Sequence, residues 1–223
     1  MVGDMQPENE WPIARTQYTK LYLDAAGNSM QWQPVSETAS AGYDAMGSGP
    51  GAHRVCFDIT FDEPVKLIGH MKLRVFMAAR DADDMDVFAG IYKYDRDGNF
   101  VPFAYYSFFD DGPVALGWLR ASHRELDERR STKYQPVHTH RSEQKLQPGE
   151  IIPLDIELWP SGTLFEKGER LRLIIQGSDL QKYSRVSQPI YFRHDDTVNS
   201  GYHEVHTGGN YESYLLIPVV PEQ

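Results

Sequence analysis

Hydrophobic and polar residues alternate with a period of two through much of this chain. In MKLRVFM, Met71, Leu73, Val75 and Met77 fall on one side, and Lys72, Arg74 and Phe76 on the other. In HRVCFDITF, Val55, Phe57, Ile59 and Phe61 alternate with Arg54, Cys56, Asp58 and Thr60. IIPLDIELW groups Ile152, Leu154, Ile156 and Leu158, and ERLRLIIQ groups Leu171, Leu173 and Ile175. Successive side chains of a strand point to opposite faces, so each run predicts a strand with one buried face. MDVFAGIYKYD and the terminal SYLLIPVV read as further strands. Turns are predicted between the runs: DRDGN (95–99) as a hairpin loop with Gly98 free to take positive φ, then QPGE (147–150) and EKGE (166–169). AMGSGPG (45–51) reads as a flexible loop. Helical pattern is scarce. RELDERRS (124–131) could make one or two turns, with Ser122 as cap and Glu125 three residues later. Many short strands with Gly and Pro turns predict an all-β protein, a jelly-roll β-sandwich with one or two short helices.

Composition fits that fold and excludes some partners. With 223 residues, 40% of them hydrophobic, the chain is long enough to bury a core. Lys and Arg number 22 against 32 Asp and Glu, a net charge of −10. Nucleic acid and anionic membranes attract a positive field, so neither is an expected partner. No apolar run approaches the ~18 residues that would span a bilayer. The N-terminal MVGDMQPENEW has no charged region followed by an apolar one, so no signal peptide is expected. Cys56 is the only cysteine, which excludes an intrachain disulfide and a cysteine-only metal site. Its place in an alternating run makes it a strand residue. A reducing, cytoplasmic compartment fits best.

Familiar catalytic motifs are missing. There is no G-x-S-x-G elbow, no H-E-x-x-H, no phosphate-binding G-x-x-x-x-G-K-[ST] and no dinucleotide G-x-G-x-x-G. No cofactor is therefore expected. Two segments are rich in histidine. GWLRASHRELDERRSTKYQPVHTH (117–140) carries Trp118, His123, Tyr134, His138 and His140. RHDDTVNSGYHEVHTGG (193–209) carries His194, His203 and His206. On a strand His138 and His140 would share a face and suit a metal, but no third ligand is identifiable, so no metal site is assigned. His203 and His206, three apart, would face opposite sides. Carboxylates in RDADDMD (80–86) and DRDGN read as solvated turns. A structural Ca²⁺ is the sharper alternative, although DRDGN is too short for an EF-hand loop. The aromatic run FVPFAYYSFFDD (100–111) is either core or an exposed interface.

Four stretches carry a family resemblance: 68–99, 117–140, 146–179 (LQPGEIIPLDIELWPSGTLFEKGERLRLIIQGSD) and 206–221 (HTGGNYESYLLIPVVP). In that order they resemble the C-terminal domain of the X-Pro dipeptidyl-peptidase and cocaine esterase family of serine hydrolases. ENEWPIARTQYTKLYLDA (8–25) is similar to the lead-in to that domain. The resemblance implies a jelly roll of the galactose-binding type, with residues 1–25 as a lead-in packing on the sandwich and 26–223 as the sandwich itself. It implies an α/β-hydrolase domain, in the same or a separate chain, that holds the Ser-Asp-His triad. The jelly roll would close one side of the substrate cleft and help form subunit contacts, a homodimer among them. None of the triad can be carried over to this chain.

Two functions follow. One is a non-catalytic module of a serine hydrolase, with an apolar patch around 100–109 and Trp118. The other is a free-standing jelly roll with its own pocket for a small hydrophobic ligand, a cyclase or isomerase among the options. Trp118, His123, Tyr134, His138, His140, His194 and His203 are the pocket candidates.

Overall fold

The computed structural model describes residues 7–47, 53–105, 109–181 and 194–221. Its strands are β1 (Gln17–Asp24), β2 (Ser29–Gln31), β3 (Ala39–Asp44), β4 (Arg54–Thr60), β5 (Val65–Ala79), β6 (Asp86–Tyr94), β7 (Phe100–Val101), β8 (Phe103–Tyr105), β9 (Phe109–Gly112), β10 (Ala115–Arg120), β11 (Ile152–Phe165), β12 (Arg170–Gln176), β13 (Tyr202–Thr207) and β14 (Tyr214–Val219). Residues 48–51 of the glycine-rich loop, 106–108 of the aromatic run and Arg193 lie outside the described residues.

The strands form the two layers of a sandwich. One layer runs β10-β6-β12-β4, with β7 on β6. The other runs β2-β1-β14-β5-β13-β3, with β11 along the opposite edge of β5. A single parallel bridge, Ser29 to Asp58, links them between β2 and β4. β1, inside the 1–25 segment, pairs with both β14 and β2 and is a full member of its sheet.

Period-two reading gave the right faces. Met71, Leu73, Val75 and Met77 of β5 are wholly buried, as are Leu154, Ile156 and Leu158 of β11 and Leu171, Leu173 and Ile175 of β12. With Phe57 and Ile59 of β4 they belong to one continuous apolar cluster. Fully burying such a side chain contributes about 1.5–3 kcal/mol, which is why register is fixed here. β6 departs from alternation: Asp86 to Tyr92 are all buried. Its outer face is covered too, since a Cβ on Gly90 would meet Leu180 at 2.3 Å.

The turns predicted at DRDGN, QPGE and EKGE form as read, but the carboxylates of RDADDMD are not all solvated: Asp84 is 2% exposed and held by the Ser122 N–H and Lys145, and Asp86 is 8% exposed on β6 and held by Arg120. Asp95 accepts from the backbone N–H groups of Asp97 and Asn99 and from the Asn99 side chain, with Gly98 at φ +84. That carboxylate is committed to its own turn. The helix predicted over 124–131 does not form. The only helical element among the described residues is a 3₁₀ turn, Ala121–His123, without a side-chain cap. Ser122 sits inside that turn with its side chain buried, so it cannot serve as an N-cap. No helix among the described residues is long and apolar enough to cross a membrane.

His203 is a core residue. It is 0% exposed on β13, packs edge-on against Tyr43 at 5.4 Å, and its Nδ1 lies 3.3 Å from the Tyr43 hydroxyl. Burial pushes its pKa down to about 4, against a partial upward pull from Asp86 and Asp44. The folded state thus holds His203 neutral where the unfolded chain would protonate it. Stability is complete above about pH 6.5 and falls as pH drops from there toward 4, by roughly 3 kcal/mol in all. Urea denaturation at pH 7 and pH 4.5 should show this loss, and His203→Phe should lack it.

Candidate functional site

β10 and β11 meet at the edge where the two layers come together, and a groove of about 460 Å³ opens there. Two sequence features build it. Gly117 lets the strands touch, for a Cβ at that position would lie 1.8 Å from the Glu157 carbonyl oxygen. A register shift against β5 between Leu158 and Ser161 inserts an extra residue into β11. Such bulges re-aim side chains. Trp159 stands beside the shift, exposed by 42%, and its indole meets that of Trp118, exposed by 40%, at 5.8 Å and 64°.

One wall is an ion pair. Asp86 on β6 lies opposite Arg120 on β10. It accepts from Arg120 Nε at 2.8 Å and Nη2 at 3.0 Å, and from the Val198 backbone N–H at 2.9 Å. Asn199 clamps the same residue, accepting from the Asp86 N–H at 2.7 Å and donating to its carbonyl at 3.0 Å. The 194–199 segment is thereby fastened to β6. His194 leans on Trp118 at 4.6 Å and on Phe88 at 5.3 Å, while its Nδ1 lies 2.7 Å from Asp179 Oδ1.

The other wall comes from residues 121–151, a long excursion between β10 and β11 tied down by its own hydrogen bonds. The Thr139 N–H donates to the Glu125 carbonyl, the Asp127 N–H to Val137 and the Gln144 N–H to Ser122. An isolated bridge joins Leu126 to His138. His123, His138 and His140 line the groove. The Nδ1 atoms of His123 and His140 are 3.3 Å apart. His138 and His140 do not share a strand face. The chain turns at His140, φ +50, and the two rings lie 5.9 Å apart. Burial, then the neighbouring His140, lowers the pKa of His138 below the usual imidazole range. Among the described residues no three His, Cys, Asp or Glu side chains form a group that could hold a metal ion.

Of the sequence candidates, the structure gathers Trp118, His123, His138, His140 and His194 in one groove. Tyr134 lies elsewhere, stacked on Tyr18 at 4.3 Å and 6°. His203 is in the core. Trp159, Glu157 and Arg120 also line the groove and were not singled out from the sequence, and Asp86, read there as part of a solvated carboxylate turn, lines it too. Trp159 was within reach, because it is out of phase with the inward residues 152 to 158. Asp86 and Arg120 carry no local signal, since only cross-strand pairing joins them.

The family model for the X-Pro dipeptidyl-peptidase C-terminal non-catalytic domain matches residues 3–216. The chain belongs to this family. A CocE/NonD family hydrolase from Staphylococcus aureus superposes with a TM-score of 0.92 at 41% identity, over 97% of this chain and 39% of that one. Cocaine esterase from Rhodococcus is 20% identical over 98% of this chain and 40% of its own length. An aminopeptidase from a marine sediment archaeon shares the fold, with a TM-score of 0.68 at 16% identity over 97% of this chain and 39% of that one. The chain therefore spans about two fifths of the relatives it matches. Nothing in these comparisons supports a free-standing binder or a non-hydrolytic enzyme such as a cyclase or isomerase.

Proposed function

We propose that this non-catalytic domain works as a wall of a serine hydrolase, presenting the Trp118–Trp159 groove to an α/β-hydrolase domain in the same or a separate chain. The observation that carries this reading is the groove itself. Two large indoles are held more than a third exposed at an open strand edge, flanked by a rigid ion pair and a histidine-lined loop. Exposed tryptophans gathered in one place mark interaction sites. A loop as long as 121–151 is uncommon without a function. On this reading the domain shapes the cleft and excludes water while the nucleophile comes from its partner.

The remaining features of the proposal come from family likeness and composition. The sandwich is a galactose-binding type of jelly roll, entered through residues 1–25, whose β1 is one of its own strands, and contacts with a second copy accompany domain docking. A reducing, cytoplasmic setting suits the single free cysteine, Cys56.

Turnover by this chain alone tests the reading. Neither p-nitrophenyl acetate nor Ala-Pro-p-nitroanilide should be hydrolysed above the buffer rate. Saturable hydrolysis that vanished with one substitution, such as His194→Ala, would place a catalytic site here and overturn the proposal.

A further inference from the structure

The contact between His123 and His140 imposes a rule on protons. Two Nδ1 atoms at 3.3 Å share a hydrogen bond only if one ring donates N–H and the other accepts with a bare lone pair. A doubly protonated imidazole has no lone pair to offer. The pair is closed while at least one ring is neutral and repels when both are charged. Its two members stand 17 residues apart in the excursion. His123 ends the 3₁₀ turn after β10, and His140 follows the Leu126–His138 bridge.

The surroundings offset little of that repulsion, and what they offset falls on His123 alone. Arg120 of β10 lines the same groove and adds positive charge, with Asp86 of β6 committed to it. On β11, Asp155 is taken by Lys72 and Arg74, and Glu157 accepts from Gln135 and lies 3.7 Å from His70. Within the excursion Glu143 is 3.9 Å from His123 Nε2 but is shared with Lys145 at 3.7 Å. His138 faces the pair and His194 lies across the groove, paired with Asp179. No carboxylate among the described residues forms an ion pair with His140.

We propose that His123 and His140 form a proton-operated clasp that closes the stretch of the excursion between them at the groove and loosens that stretch when both rings are protonated, while 143–151 stay fastened to the sandwich through Leu146 and Gly149. The groove then changes shape in mildly acidic solution, through a local loop opening that leaves the sandwich intact. Burial favours the neutral form of His138, so the ring beside the pair resists taking up charge of its own.

Amide hydrogen exchange of this chain at pH 7.5 and pH 5, corrected for intrinsic rates, tests the clasp. Peptides from β5 and β13 follow the global loss of stability through His203. Loss of one hydrogen bond should make corrected exchange over 124–142 at pH 5 about fivefold faster in the native chain than in the glutamine variants below, which share that global loss. Glutamine can donate to a neutral ring or accept from a charged one. His140→Gln and, independently, His123→Gln should therefore abolish this extra acceleration. Equal exchange at both pH values in the native chain would overturn the clasp. So would an acceleration over 124–142 that both glutamine variants share in full, which reports global loosening through His203 alone.

Discussion

Gly117→Ala is expected to cost about 4 kcal/mol and to deform the groove. The new Cβ would lie 1.8 Å from the Glu157 carbonyl oxygen and 2.9 Å from its carbon. Both are backbone atoms, so no rotamer change can relieve the clash. Glu157 and Leu158 cannot retreat cheaply, because they pair with Lys72 and Met71 in the ladder with β5. The strands must separate, and Trp118 moves with β10. Overpacking usually costs about 1–3 kcal/mol, and a collision between two main chains exceeds that range. The urea midpoint measures the loss. Gly162→Ala is the control, since nothing lies within 4 Å of its added Cβ, and its change should stay within about 0.5 kcal/mol.

Arg120→Ala should destabilise the protein by about 3 to 4 kcal/mol. The loss comes mainly from the partner it abandons. Asp86 is only 8% exposed, and without Arg120 its charge keeps a single donor, the Val198 N–H. Breaking a buried pair from one side costs about 3–5 kcal/mol, discounted here because a third of the Arg120 side chain reaches solvent. Adding Asp86→Asn to Arg120→Ala removes the stranded charge and should recover part of the loss. A double-mutant cycle in urea gives the coupling directly. The 194–199 segment should loosen as well, since Arg120 Nη2 also donates to the Asp196 carbonyl.

Alternation was strong enough to read the sandwich because its core strands bury one face and expose the other. β6 shows the limit. Its outer face is covered by sequence-distant chain, so Phe88 and Tyr92 are buried against the pattern. The excursion shows another. A capping signal suggested helix for RELDERRS, but Thr139 and Val137 tie that stretch to partners ten or more residues away. Histidine-rich composition pointed to the groove without separating its members. His203 has the same side chain as His194, and only tertiary placement puts one in the core and the other against Trp118. The missing hydrolase motifs were legible at once, because a nucleophile elbow is a local pattern. The Asp86–Arg120 pair was not, because strand register decides it.

The central claim is that the Trp118–Trp159 groove faces a hydrolase domain. Oxidative footprinting of both tryptophans tests it most directly, in this chain alone and together with an α/β-hydrolase domain of the family, supplied in the same or a separate chain. Trp32, 43% exposed and packed on Phe61 at 6.2 Å, is the internal reference. The account predicts several-fold protection of Trp118 and Trp159 when that domain is present, with Trp32 unchanged. Equal oxidation of Trp118 and Trp159 in both states would contradict it.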